Sequence, residues 1–420
     1  MRVAFYFLLA SRRISSLEFT LSQSHSLTEM SSSTTNNLPL FPFDVFSQIF
    51  KECDLQTLQT CSTLSKDMHE CALPFLFQTI SFRANRPSLV NIPQEERDNI
   101  CSGAIQRFTE LPKMRVAAFV RRLVYEGCRF PDTDARQHYH RRVWAVFRVT
   151  LSPTVYIGLT ELILTSVDID FQDAQGISTL EALRLLYLVN VRLSDGVVLG
   201  GRLRPKVLHF STPGQLVNTS ANAILGVCKE VRWLQLHRLP RAPDILYKIL
   251  EVTPSLTDLH ITLERPVNND QLGAPALESR FCPRLSVYSG PFYYSAIING
   301  RPVWHIDVHE FPESMSYEGP RLWTSQAILE GSSASVMVFK LRKWPAEFCE
   351  IFFELVWDHF PHIRELTIEL SAYYNTTPDE NHADNISMYN LDIESVKNYH
   401  YLVRNPFDST VIPQRTDICR

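Results

Sequence analysis

The feature that most constrains the fold is a short apolar pattern that recurs along most of the chain. It reads apolar-x-x-apolar-x-apolar and occurs at these triplets: Val120-Leu123-Tyr125, Leu159-Leu162-Leu164, Leu180-Leu183-Leu185, Pro205-Leu208-Phe210, Val231-Leu234-Leu236, Leu256-Leu259-Ile261, Cys282-Leu285-Val287, Val303-Ile306-Val308 and Ile363-Leu366-Ile368. Successive middle residues are 39, 21, 25, 26, 25, 26, 21 and 60 positions apart, and Ser333-Val336-Val338 would divide the last step into two of 30. Such a period predicts stacked units that each contain one strand and one returning segment.

Two connecting segments carry apolar residues at helical spacing and then a proline: Ile245, Leu246, Ile249 and Leu250 before Pro254, and Phe348, Ile351, Phe352 and Leu355 before Pro361. A proline disfavours helix in the residue before it, so each helix is expected to end just ahead of the next strand. The alternation of strands and helices predicts an α/β chain with parallel strands on a concave face and helices outside.

Residues 38–82 carry a different pattern, which predicts three short helices. Pro42 suits a first helical turn, and the stripe Val45, Phe46, Ile49 and Phe50 has a helical period. Asp54 is a suitable N-cap for the second helix, and the third helix is expected after Ser65. So short a module is near the size limit for burying its own core. We therefore expect its apolar faces to be covered by the rest of the chain or by a partner.

This module resembles an F-box, most closely the F-box-like domains of large fungal families. The matching residues are Phe41-Pro42-x-Asp44-Val45-x-x-x-Ile49-Phe50, Leu55-x-x-Leu58-x-x-Cys61-x-x-Leu64-Ser65-Lys66 and Pro74-x-Leu76-Phe77-x-x-Ile80. Phe41 replaces the usual leucine, and Met68 stands where tryptophan is common. The resemblance implies docking on a Skp-family adaptor and, through it, on a cullin. It implies a contact made by Phe41, Pro42, Val45, Phe46, Ile49 and Phe50, with Leu58, Leu64 and Leu76 behind them.

The repeats over residues 105–370 resemble leucine-rich repeats, whose period lies in the same range. No asparagine ladder is evident, so the solenoid is expected to be irregular. The stretch from Ser289 to Val303 resembles one in the fungal F-box-like chains. It is expected to interrupt the repeats around 290–302 with a helix. Residues 83–104 are interpreted as a connecting segment.

In each predicted strand, alternate residues point away from the core. The residues expected on the outward face, as candidates for binding a target, are Arg184, His209, Trp233, Gln235, His237, Asp258, His260, Arg284, Tyr288, His305, Asp307 and His309. A face of mixed charge that is rich in aromatic and histidine side chains suits recognition of another protein.

The sequence offers little support for catalysis or for a cofactor. Gly numbers only 14 in 420 residues, and no nucleophile-elbow or phosphate-loop motif is present. His305, Asp307 and His309 share one strand face, but alternate residues on a strand are about 7 Å apart, so no metal site is expected. The interpretation is a protein that is not an enzyme and needs no cofactor.

Charge gives little support for nucleic-acid binding. Lys and Arg number 41 against 45 Asp and Glu, a formal net charge of −4. Residues 115–148 contain eight arginines and three acidic residues. That excess is consistent with a solvated helix face or with a patch for an acidic partner or nucleic acid.

The ends of the chain and its cysteines bear on the compartment. Residues 1–37 begin with the apolar run Val3–Ala10, lack a clear cleavage site and are rich in Ser and Thr, so they are interpreted as a disordered leader or a mis-assigned start. Residues 371–420 are interpreted as a polar C-terminal tail. The nine cysteines include no C-x-x-C pair, which favours buried thiols in a reducing compartment. We expect a cytoplasmic or nuclear protein without a membrane span.

The resemblance to an F-box, taken with the repeats, implies a non-catalytic substrate receptor of a cullin-based (SCF-type) ubiquitin ligase. Two alternatives remain open: a leucine-rich-repeat scaffold without a ligase role, and a secreted, glycosylated repeat protein. The three helices could also be a cap whose apolar stripe faces inward.

Overall fold

The computed structural model describes residues 43–83, 93–127, 134–240, 242–264, 274–309, 335–345, 360, 362–371 and 387–391. The chain divides into two compact units, Met1–Thr79 and Ile80–Arg420. In its described part, the first unit holds three helices, and the second is built around a large sheet with helices between its strands.

The helices of the first unit are α1 (Phe43–Lys51), α2 (Leu55–Ser62) and α3 (Lys66–Leu76). The Asp54 side chain accepts a hydrogen bond of 2.7 Å from the Thr57 backbone N–H at the start of α2. Ser65 Oγ accepts one of 3.1 Å from the Met68 N–H at the start of α3. These caps satisfy backbone donors that have no partner within the helix, so they determine where α2 and α3 begin.

The three helices share a small core of their own. Its buried members come from all three helices: Phe50, Leu58, Cys61, Cys71 and Ala72. The Phe50 ring meets the Phe75 ring edge-on at 6.4 Å and lies 6.0 Å from the Phe46 ring. Aromatic pairs at such distances add about 0.5–1.5 kcal/mol beyond the burial of their surface.

The large sheet has twelve described strands: β1 (Thr79–Arg83), β2 (Arg122–Glu126), β3 (Glu161–Thr165), β5 (Leu185–Val189), β7 (Val207–Phe210), β8 (Trp233–Leu239), β9 (Asp258–Leu263), β10 (Val287–Pro291), β11 (His305–His309), β12 (Val338–Pro345), β13 (Glu365–Ser371) and β14 (Ser387–Leu391). They are neighbours in that order. β4 (Asp168–Ile169) and β6 (Arg192–Leu193) pair separately. From β2 to β13 every pair of neighbours is parallel, whereas β14, within the predicted polar tail, pairs antiparallel with β13. The prediction of an α/β chain with parallel strands is confirmed.

Helices lie between many of these strands along the chain: α4 (Gln94–Glu110), α5 (Asp134–Val149), α6 (Phe171–Ser178), α7 (Asn218–Ile224) and α8 (Pro243–Glu251). The predicted helix before Pro254 is confirmed as α8, whose four apolar residues are buried. The second predicted stripe, Phe348–Leu355, lies outside the described residues. Residues 94–104 of the predicted connecting segment belong to α4, and Cys101 and Ala104 pack in the core of the second unit.

One buried residue from each of the ten parallel strands between β2 and β13 forms a row across the sheet, which we call the central row. Its members, paired by register, are Leu123, Leu162, Leu186, Leu208, Leu234, Leu259, Tyr288, Ile306, Phe339 and Leu366. The predicted middle residues Leu183, Leu285 and Val336 are therefore wrong by three positions. In the first case Leu183-Leu186-Leu188 fits the apolar pattern as well as Leu180-Leu183-Leu185 does, so the pattern alone is ambiguous. In the second case the correct frame ends on Gly290, and in the third the frame Val336-Phe339-Leu341 fits the pattern better than the predicted one.

β10 and β11 are joined by the segment predicted to interrupt the repeats. It contains a short 3₁₀ helix, Phe292–Ile298, but the sheet continues through it, since Val287–Pro291 pairs directly with His305–His309. Arg301 lies in this connection, after the 3₁₀ helix, and is only 1% exposed. Its guanidinium donates hydrogen bonds to the backbone carbonyls of Leu277, Glu278, Phe281, Ile297 and Asn299.

Candidate functional site

The first candidate surface is the outer side of α1. Ile49 is 51% exposed and Val45 is 38% exposed. They are one helical turn apart, so they lie on one side of the helix. We call this pair the α1 face. Phe46, half-buried, and Phe50, buried, belong to the small core beneath it, so α1 contributes to the core while its outer side stays exposed.

The other residues predicted to contact an adaptor are placed differently from one another. Leu58 is buried and Leu76 is half-buried against the same small core. Leu64, expected behind the contact, is instead 58% exposed. It lies in the connection between α2 and α3, because α2 ends at Ser62 and Ser65 already caps α3. Phe41 and Pro42 lie outside the described residues.

The second candidate surface is the side of the sheet opposite to the one on which the central-row side chains are buried. On β7 to β11 its residues alternate with buried residues along each strand. We call them the sheet face: Val207, His209, Trp233, Gln235, His237, Asp258, His260, Thr262, Val287, Ser289, His305, Asp307 and His309. Nine of the twelve residues predicted to bind a target lie in this group. All of its members except Asp307 are half-exposed, while the central-row residues between them are buried.

Three predicted target-binding residues lie elsewhere. Tyr288 belongs to the central row and is fully buried, so its prediction as an outward residue is wrong. Its hydroxyl donates a hydrogen bond of 2.7 Å to the Pro291 carbonyl. Arg284 and Arg184 are exposed but precede strands β10 and β5. For Tyr288 the cause is that the predicted frame of its repeat is three positions too early, which reverses the side of the strand assigned to this residue.

The rings of the sheet face are held by neighbouring side chains. His237 Nε2 lies 2.8 Å from the Gln235 amide nitrogen, and His237 Nδ1 lies 3.0 Å from Thr262 Oγ1. The Trp233 and His260 rings are 5.0 Å apart, and the His209 and His237 rings are 4.9 Å apart. Hydrogen bonds and ring packing together restrict the rotation of these side chains, so the rings hold fixed positions on the folded protein.

Partial burial lowers the pKa of every histidine on this face. It lowers the pKa of His209 to about 4, with a further contribution from His237. Burial likewise lowers the pKa of His237, His260, His305 and His309. These side chains are therefore mostly neutral at pH 7 and act as aromatic, hydrogen-bonding groups there rather than as cations.

Asp307 has a specific partner that the sequence did not indicate. Arg342 of β12 donates two hydrogen bonds to its carboxylate, Nε to Oδ1 at 2.9 Å and Nη2 to Oδ2 at 2.6 Å. A bidentate pair of this kind is among the stronger polar interactions in proteins. Asp307 is therefore committed to Arg342, which argues against its use as a metal ligand with His305 and His309.

A basic residue directly precedes each of the three neighbouring strands β5, β7 and β8. We call these residues, Arg184, Lys206 and Arg232, the cationic row. The backbone N–H groups of Lys206 and Val207 donate to the Arg184 carbonyl, and those of Arg232 and Trp233 donate to the Lys206 carbonyl. Each residue lies two positions before its central-row residue. Only Arg184 was picked out by sequence reasoning. Lys206 and Arg232 lie two positions before Leu208 and Leu234, whose frame was predicted correctly, so the sequence already placed both residues at the start of a strand.

The arginine-rich segment 115–148 does not form one surface element. Its described residues are distributed over a 3₁₀ helix (Arg115–Phe119), β2 and α5. Arg122 pairs with Glu161 at 3.3 Å, and Arg148 pairs with Asp170 at 2.6 Å. Part of the local positive charge is thus neutralised within the second unit.

Cys228 and Cys282 of the second unit are buried in its core. Burial raises the pKa of Cys228 and Cys282 to about 12, so both thiols are protonated and poorly nucleophilic at neutral pH. Within the described ranges, no group of three His, Cys, Asp or Glu side chains is arranged to hold a metal ion. A search of the same ranges finds no helix with the length and apolar character to cross a bilayer.

Comparison with protein-family models finds no match to this chain, and comparison with the sequences of curated proteins finds no significant one.

Proposed function

We propose that this protein is a non-catalytic substrate receptor of a cullin-based ubiquitin ligase. The helical unit is an F-box-like module that docks on a Skp-family adaptor. The sheet unit is an irregular leucine-rich-repeat solenoid that presents its strand face to a target protein. The observation that carries the proposal is the exposed α1 face within a segment whose sequence resembles an F-box.

Adaptor docking is supported by how the apolar residues of α1 are divided. Phe50 packs in the core of the helical unit, whereas Ile49 and Val45 remain 51% and 38% exposed. Covering the exposed parts of these two side chains would stabilise a complex by about 2–3 kcal/mol. Such a contribution is typical of the apolar anchors of a protein interface.

The solenoid is supported by the regular succession of parallel strands. The central row continues from Leu123 to Leu366 with one buried residue per strand. Each repeat buries its apolar residues against its neighbours and leaves the strand face open, which is the arrangement that repeat proteins use for binding.

The mechanism is one of proximity. The receptor holds a target lysine near the ubiquitin-loaded enzyme that other subunits supply, and so raises its effective concentration there. No reacting group is needed on the receptor, consistent with the protonated thiols Cys228 and Cys282.

Co-purification with a Skp-family adaptor tests the proposal. Wild-type protein is expected to retain the adaptor, and Ile49→Glu is expected to weaken binding roughly tenfold or more, because it places a charge in an apolar contact. Gln48→Glu is the matched control, since Gln48 is exposed on the same helix and receives the same carboxylate. Failure of wild-type protein to bind the adaptor, or equal binding by both variants, would refute adaptor docking.

A scaffold without a ligase role is the second candidate. It is favoured by the sheet face, which is formed entirely by the second unit and needs no adaptor. Target binding by wild-type protein in the absence of any adaptor interaction would support this function instead.

A further inference from the structure

The cationic row carries positive charge that the neighbouring residues do not balance. Within the described residues, Arg184 and Arg232 have no carboxylate within 4.0 Å. Lys206 pairs with Glu230, and Arg204 Nε lies 3.9 Å from the same carboxylate. One carboxylate thus serves two cations, and both arginines of the row remain exposed to solvent.

The positive charge of the cationic row affects the pKa of Glu230. The hydrogen bond from Lys206 holds the pKa of this carboxyl below its ordinary value, and the charges of Lys206, Arg204 and Arg184 lower it further. Cations from two successive connections therefore act on one point. A concentration of like charge at the start of neighbouring strands attracts anionic groups.

An apolar floor adjoins the row. Each residue of the cationic row is directly followed by an apolar residue, and these residues, Leu185, Val207 and Trp233, form the floor. They are half-exposed and are direct neighbours across the three strands by register. Tyr187 continues the floor two residues further along β5. Outward positions of a solvated sheet are normally polar, so an apolar group here indicates a surface that a partner covers.

We propose that the cationic row and this floor bind an extended acidic segment of the target, with its carboxylates on the row and its apolar side chains on the floor. This proposal specifies the target of the proposed function. It rests on that function only in assuming that the target binds to the exposed side of the sheet. Neighbouring strands are about 4.8 Å apart, so the row spans about 10 Å, which two or three acidic residues in an extended chain can follow. Leu185 and Val207 cannot stack on bases or read their edges, which favours a peptide over RNA.

The test is a selection of peptides from a random phage-displayed library on the full-length protein, without adaptor, followed by titration of the synthesised peptides. Selected peptides are expected to be enriched in Asp and Glu next to apolar residues, and their binding is expected to weaken as salt is added. Arg184→Glu/Arg232→Glu should weaken binding roughly tenfold or more. Arg184→Gln/Arg232→Gln should weaken peptide binding less than the double glutamate variant does, because it removes the two positive charges without adding negative ones.

Lys248→Glu/Arg280→Glu is the control, because it changes the net charge equally at two exposed residues outside the row. It should leave the affinity unchanged. Peptides without acidic enrichment, equal weakening by control and row variants, or tighter binding of single-stranded RNA to the row would overturn the proposal. Because no adaptor is present, these outcomes are independent of adaptor docking, which is tested separately with Ile49→Glu.

Discussion

Arg301 offers a quantitative test of how the connection between β10 and β11 is held. Its guanidinium is 1% exposed and serves five backbone carbonyls, at Leu277, Glu278, Phe281, Ile297 and Asn299. Burial lowers its pKa, but a guanidinium remains charged at neutral pH. One side chain thus ties the segment before β10 to the 3₁₀ helix after it.

Arg301→Met keeps a long side chain and removes all of these donors. Each carbonyl left without a partner costs about 1–3 kcal/mol, but the variant no longer buries a charge and the segment can relax. We expect a net loss of about 3–5 kcal/mol in the free energy of unfolding, as when one partner of a buried charged network is removed. Arg301→Lys keeps the charge but not the planar fork, so about 2 kcal/mol is expected.

Urea unfolding followed by circular dichroism measures these differences. Arg280→Met is the matched control, because Arg280 belongs to the same segment but is exposed, where it pairs with Glu278 and lies over the Phe281 ring. Its loss should be below about 1 kcal/mol. If Arg301→Met and Arg280→Met are equally stable, Arg301 does not hold the connection and the reasoning fails.

Two further predictions concern packing and pH. A Cβ on Gly290 would lie 2.6 Å from Ile261 Cγ1 and 2.7 Å from the Tyr288 hydroxyl. Gly290→Ala should therefore lower the free energy of unfolding by about 1–3 kcal/mol, and adding Tyr288→Leu should restore part of it. An unchanged free energy of unfolding in Gly290→Ala would contradict this. Because the pKa of folded His209 is about 4, below its unfolded value, stability should fall as pH drops from about 6.5 toward 4. Between pH 7 and 5, the free energy of unfolding of His209→Phe should fall by about 1 kcal/mol less than that of wild type, as measured by unfolding curves recorded in parallel. An identical fall in both proteins would contradict the prediction.

The sequence predicted the class of fold because strand and helix periods were both strong. In most repeats, such as those around Leu208, Leu234 and Ile306, only one frame fitted, and the predicted middle residue lies in the central row. Around Leu183 two frames fitted equally well. Only hydrogen bonding between strands decides such cases, and a single chain pattern does not contain that information.

The candidate surfaces were partly predictable for the same reason. Trp233, Gln235 and His237 could be assigned to one face because strand alternation alone determines it. The pair of Asp307 with Arg342 and the charge of the cationic row depend instead on which residues the register makes neighbours. Exposure of Leu64 likewise depends on where α2 ends, which the apolar pattern did not specify.

The central claim is that α1 docks on a Skp-family adaptor. Hydrogen–deuterium exchange of the full chain, with and without the purified adaptor, measures this most directly. The account predicts slower exchange of the backbone amides in Phe43–Lys51, with no change in strands β5 to β9. Unchanged exchange in that helix at saturating adaptor, or protection confined to the sheet, would contradict it.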